Sequence, residues 1–158
     1  MKGDEAKQGA VMVRDYVSLN RMIFCTGATK VDVIDELIRV SKEDGMVRDT
    51  LAFKEALIHR EQIMSTGIGY GVAIPHVKLR GLEEFFVTVG IHKRGVDWDA
   101  LDAQPAHLIF LIAGPDHVQE KYLRILARLT LVIKDPVRRN RLIGFNTRFE
   151  AYELLMKF

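Results

Sequence analysis

The chain has one cysteine, Cys25, among its 158 residues. No internal disulfide is possible, and a reducing compartment is the default. Cys25 lies in the apolar run RMIFC and reads as a small core residue rather than a reactive thiol. Net charge is equally scarce: the formal value is +2, with acids and bases interspersed along most of the chain. Nucleic-acid binding, which needs a concentrated basic face, is not expected. The one basic cluster, VRRNRL at 137–142, lacks interleaved aromatics and reads as a solvated helix face. No apolar run reaches membrane-spanning length, and the opening MKGDEAKQGA has no apolar core of a signal peptide. These absences predict a cytoplasmic protein with no direct membrane insertion.

Nucleotide and metal signatures are missing too. Gly67, Gly69 and Gly71 fall at every second position of STGIGYGVAIPH (65–76), which is neither G-x-G-x-x-G nor G-x-x-x-x-G-K-[ST]. A phosphate loop also needs a helix directly behind it, and Pro75 disfavours helix at Ile74, so GVAIPHVKL reads as extended chain. There is no H-E-x-x-H or other paired-ligand spacing. His92 and His107 fall in predicted strands, and His59 shares a helix face with Glu55 and Gln62. Neither a metal nor a cofactor is expected.

What remains is an ordinary globular composition, 48% apolar and 28% charged, long enough for one domain with a sizeable core. Residues 1–11 are polar and read as a flexible tail, leaving 12–158 as the domain. LNRMIFC (19–25) suggests a short strand. A helix follows, with Thr29 as N-cap, Asp32 three residues on and Gly45 as terminator. A second helix starts near Asp49 or Thr50. EFFVTVGIHKRGVDW (84–98) and AHLIFLIAG (106–114) have strand composition. Residues 116–133 read as a helix with the stripe Val118, Tyr122, Ile125, Leu129, Val132, and shorter helices are expected near 136–143 and 147–157. The order predicts an α/β fold bordering on α+β: a single domain with a mixed β-sheet flanked by helices.

His76 follows Pro75, where the strand should leave the sheet or run along its edge. It reads either as a polar residue ending a strand or as a nucleophile, since imidazole offers a neutral attacking form near neutrality. The preceding glycines leave room for another molecule's backbone. On the helix ending near residue 61, Phe53, Leu57 and Arg60 share one face, so Arg60 should point inward toward the glycine stretch. A guanidinium there suits a phosphoryl group; the alternative is a surface arginine paired with a nearby acid.

REQIMSTGIGYGVAIPHVK (60–78) closely resembles the signature of the enzyme IIA domains of the fructose–mannitol type. These belong to the bacterial phosphoenolpyruvate-dependent phosphotransferase system and include nitrogen-regulatory proteins. GVDWDALDAQPAHLIFLIAG (95–114) and YLRILARL (122–129) resemble the family's next blocks, so the likeness runs from about residue 14 to 156. A chain of this length looks more like the nitrogen-regulatory branch than a sugar-specific one. The resemblance implies the EIIA type-2 fold. It also implies a phosphocarrier that takes a phosphoryl group from HPr, or its nitrogen-branch counterpart, and passes it to an enzyme IIB or uses it as a regulatory signal. His76 would be the phosphoacceptor, Arg60 the phosphoryl-stabilising cation, and Thr66, Gly67, Gly69 and Gly71 the loop facing phosphoryl and partner.

One position departs from the family. Where a second histidine usually precedes L-x-x-L-A-x-L, this chain has Tyr122. Tyr122 reads either as core packing or as a hydroxyl donor to a phosphoryl oxygen, and it supplies no positive charge. His117 is the other candidate, reaching in from the preceding loop. The departure leaves open a site that tolerates a phenol, one that transfers slowly, or one that does not transfer. The rival function is therefore a regulatory protein that controls its targets by docking.

Overall fold

The run AHLIFLIAG lacks polar alternation, as suits a strand covered on both faces, and it lies at the heart of the sheet. The computed structural model describes residues 11–158. Its six strands are β1 (Met22–Phe24), β2 (Gly67–Gly69), β3 (Val72–Ala73), β4 (His76–Lys78), β5 (Phe86–Val96) and β6 (Ala106–Gly114). The helices are α1 (Lys30–Glu43), α2 (Thr50–Ile63), α3 (Gln119–Ile133), α4 (Pro136–Gly144) and α5 (Arg148–Leu155). The sheet order is β1-β5-β6-β3-β2, with β4 also on β6. β1 runs parallel to β5, β5 antiparallel to β6, and β3 and β4 parallel to β6, so the sheet is mixed as expected.

Alternate residues of β5 and β6 enter two separate cores. Val87, Val89, Leu108, Phe110 and Ile112 pack with α3 to α5. Phe86, Ile109, Leu111 and Ala113 pack with α1 and α2 on the opposite face. Cys25 belongs to this second core, where burial first and Glu36 second push its thiol pKa up.

Local chemistry sets the boundaries. Thr29 and Asp32 form a reciprocal capping box on α1, Gly45 follows its end at φ +77°, and Asp49 caps α2 by accepting from the N–H of Ala52. The strand expected over 19–25 is shorter. Ser18 accepts from the N–H of Asn20 and winds Leu19–Arg21 into a 3-10 turn ahead of β1. α3 begins at Gln119 rather than near 116, because Val118 holds non-helical angles (φ −122°, ψ 68°). The VRRNRL face is not merely solvated: Arg138 and Arg139 donate to the carbonyls of Leu131 and Ile133, closing the end of α3. The expected tail lies outside the described residues except for Val11, which packs against the first core and so belongs to the domain.

Two glycines differ sharply in what surrounds them. A Cβ at Gly114 would fall within the buried ring of Phe85, whereas one at Gly144 would meet nothing within 4 Å. Gly114→Ala should therefore cost about 1–3 kcal/mol in urea denaturation. Gly144→Ala, in a helix, should be neutral or stabilising by up to about 1 kcal/mol.

Candidate functional site

β3 and β4 are one strand interrupted at Pro75. Val72 pairs with Leu108, Ala73 with Ile109, His76 with Ile112 and Lys78 with Gly114, a constant offset of 36. Pro75 removes a donor without shifting the register, and its carbonyl still accepts from the N–H of Ile112 at 3.0 Å. Beyond Pro75 the only strand partner among the described residues is β6, so β4 is an edge strand. Alternation puts Val72, Ile74 and His76 on the α3 side of the sheet.

The His76 ring is held from both ends. Nδ1 lies 3.1 Å from the carbonyl oxygen of Ile74. A carbonyl can only accept, so Nδ1 carries the proton. Nε2 lies 3.2 Å from Nε of Arg60, whose N–H can only donate, so Nε2 presents its lone pair. Two independent contacts thus specify one neutral tautomer with a nucleophilic nitrogen toward a guanidinium. Arg60 comes from the last turn of α2, the layer on the other side of the sheet, and reaches round the open edge. Its Nη1 donates to the carbonyl of Met64 at 2.8 Å.

Among the described residues, Arg60 is not paired with an acid. Its sequence neighbour Glu61 is buried and committed elsewhere: to Lys30 Nζ at 2.7 Å, to the N–H of Thr66 at 3.1 Å and to the Thr66 hydroxyl. Trp98 Nε1 donates to the same hydroxyl at 3.2 Å, and Ser65 donates to the Trp98 carbonyl at 2.6 Å. This network pins the chain leaving α2, leaving the guanidinium for His76. Thr66 therefore serves as a buried brace for the loop. Glu61 escaped the sequence reading because its partner Lys30 lies far away in the chain, on α1.

The glycines are used internally. Tyr70 (φ +58°) and Gly71 (φ +76°) are the central residues of a tight turn joining β2 to β3. A Cβ at Gly67 would lie 2.9 Å from Ala100, and one at Gly69 would lie 3.1 Å from the Asp102 carboxylate. The room expected for a partner's backbone is filled there by the chain's own 97–105 segment.

Tyr122, buried one turn into α3, sets its ring 5.1 Å from the His76 ring at an angle of 33°. Burial pushes its phenol above the ordinary value, only partly opposed by Arg60, so it stays neutral. Tyr122 thus joins the core and borders the site at once. Lys78, which the sequence reading passed over, stands beside it, with Nζ 5.0 Å from the centre of the Tyr122 ring and bonded to Gln119 Oε1. Strand alternation from His76 was the signal for it. His117 is not brought in: it is exposed, and its Nδ1 lies 3.7 Å from the Asp116 carboxylate. Among the described residues no cluster could hold a metal ion, and no helix is long and apolar enough to cross a membrane.

The family model described as "Phosphoenolpyruvate-dependent sugar phosphotransferase system, EIIA 2" matches residues 18–158. The chain is 42% identical over 114 residues to the fructose-specific EIIABC component of Bacillus subtilis, covering 72% of this chain but 18% of that protein. It is 32% identical to the fructose-specific EIIA component of Haloferax volcanii, covering 81% of this chain and 83% of that one. A nitrogen regulatory protein of Pseudomonas aeruginosa is 29% identical, with 82% and 84% covered. The structure of the nitrogen regulatory protein IIA-Ntr of Neisseria meningitidis superposes with a TM-score of 0.84 at 24% identity, covering 90% of this chain and 98% of that one. IIA mannitol of Escherichia coli gives 0.76 at 21%, covering 88% and 98%.

Burial is the main influence lowering the His76 pKa from its ordinary value of 6.5; the Ile74 carbonyl opposes it, and Arg60 lowers it further. The unfolded chain therefore takes up this proton first as pH falls. The contribution of His76 to folding is constant well above 6.5 and weakens as pH drops through and below that value. An NMR titration should place the midpoint below 6.5. Arg60→Ala, which deletes a lowering influence, should raise it.

Proposed function

Since the chain belongs to the EIIA 2 family of the phosphoenolpyruvate-dependent sugar phosphotransferase system, we propose that it is a phosphocarrier working through His76. The family description names the phosphotransferase system, and similar proteins include a fructose-specific EIIA component and a nitrogen regulatory protein, which supports a phosphotransfer role. On this reading the donor is the phosphohistidine of HPr or of a nitrogen-branch HPr. The acceptor is an enzyme IIB, or a regulatory target that reads the phosphorylation state. A solved relative, the E. coli mannitol IIA, is described in complex with its phosphorylated IIB.

The observation that carries the reading is the contact between Nε2 of His76 and Nε of Arg60. In the forward step the Nε2 lone pair attacks phosphorus, and the donor's imidazole leaves in line with the bonding pair. Because Nδ1 keeps its proton, the phosphorylated ring carries a formal positive charge, which the Ile74 carbonyl stabilises through that N–H. The same charge makes His76 a good leaving group for the next transfer, as a neutral imidazole. Arg60 moves its donors from the lone pair to the phosphoryl oxygens, where charge is concentrated. No metal or nucleotide enters these steps. Thr66 and the Gly67–Gly71 hairpin act on this reading by bracing the loop beside His76.

A second reading, a regulatory protein that docks without transferring, is favoured by one feature: a neutral phenol, Tyr122, against the acceptor ring. The two separate on labelling. Incubation with phosphoenolpyruvate, the relay's first enzyme and HPr should place acid-labile phosphate on His76, and none on a His76→Ala variant. An unlabelled wild type beside a labelled control IIA would favour docking alone.

A further inference from the structure

We propose that Lys78 is the second cation of the transfer site, swinging from Gln119 onto the phosphoryl group carried by His76. The inference rests on the phosphocarrier reading and names the group that completes it. Lys78 follows His76 by two residues on the same extended strand, so both side chains leave one face, with Cα atoms about 6.6 Å apart. Among the described residues, no carboxylate lies within ion-pair distance of its ammonium. Its contacts are a neutral amide, Gln119, and the face of Tyr122, the ring that borders His76. Its charge already reaches the imidazole, as one of the influences holding that ring neutral.

Charge balance gives the reason. A phosphoryl dianion arriving beside Arg60 meets one guanidinium, and Tyr122 supplies no charge. A lysine is a compact charge on a flexible stem with three donors, so it can exchange an amide oxygen for a phosphoryl oxygen without moving the backbone. The new bond joins two ionised groups, whereas the one given up has a charged donor but a neutral acceptor. The site thereby acquires, from the strand itself, the positive charge that Tyr122 does not provide.

The test compares wild type with Lys78→Gln and Lys78→Arg. Each is phosphorylated from the HPr-type carrier and, separately, by phosphoramidate, which needs no protein donor. Phosphorus NMR then follows the second ionisation of the phosphoryl group. Lys78→Gln should raise that pKa and slow transfer from the carrier about tenfold or more, while Lys78→Arg restores most of both. Wild-type rate and phosphoryl pKa in Lys78→Gln would overturn the proposal and leave the phosphocarrier reading standing. If only phosphoramidate labels wild type, the relay reading fails while the phosphoryl pKa still decides for or against Lys78. If neither reagent labels His76, both fall together.

Discussion

The hydrogen bond from Nδ1 of His76 to the carbonyl of Ile74, two residues back on the same strand, is the constraint on which the site depends. It assigns the proton to one nitrogen and the lone pair to the other. It also fixes the ring plane, so that Nε2 meets the guanidinium of Arg60. The bond requires an extended chain held at fixed register on both sides of Pro75, and the constant pairing offset along β6 supplies that. Pro75 costs the ladder one rung, since its nitrogen lies on the β6 side with its carbonyl, and that carbonyl's bond from the N–H of Ile112 holds the register.

That edge is where the two layers of the fold meet. The sheet keeps the helices of one core from those of the other. Only where β4 has no outer neighbour can a side chain from α2 and one from α3 approach the same imidazole. Arg60 comes from the α1–α2 layer, Tyr122 from the α3–α5 layer and Lys78 from the strand between them. The Glu61–Lys30–Thr66 network keeps this arrangement cationic by occupying the acid next to Arg60 in the sequence. Burying that ion pair gives little net stability. Its consequence here is positional: it holds the last turn of α2 and leaves the guanidinium unneutralised.

Much of this was legible in the residues, because the signals were local. Thr29, Asp32 and Gly45 bracket α1 by capping chemistry, the apolar runs of β5 and β6 follow from burial on both faces, and helical spacing turns Arg60 toward the core side. What was not legible depends on long-range pairing. The glycine hairpin looked like clearance for a partner, and only the return of the 97–105 segment reveals Ala100 and Asp102 in that space. The continuity of β3 and β4 through Pro75 needs β6 as a template. Lys78 is an intermediate case: alternation placed it beside His76, but its bearing on the site appears only when Gln119 and Tyr122 arrive from α3.

The central claim is that His76 rests as a neutral imidazole protonated on Nδ1, with Nε2 free to attack. Long-range proton–nitrogen correlation NMR on the unmodified protein at neutral pH tests it most directly. The account predicts a protonated Nδ1 and an unprotonated Nε2. A proton on Nε2, or on both nitrogens, would contradict it.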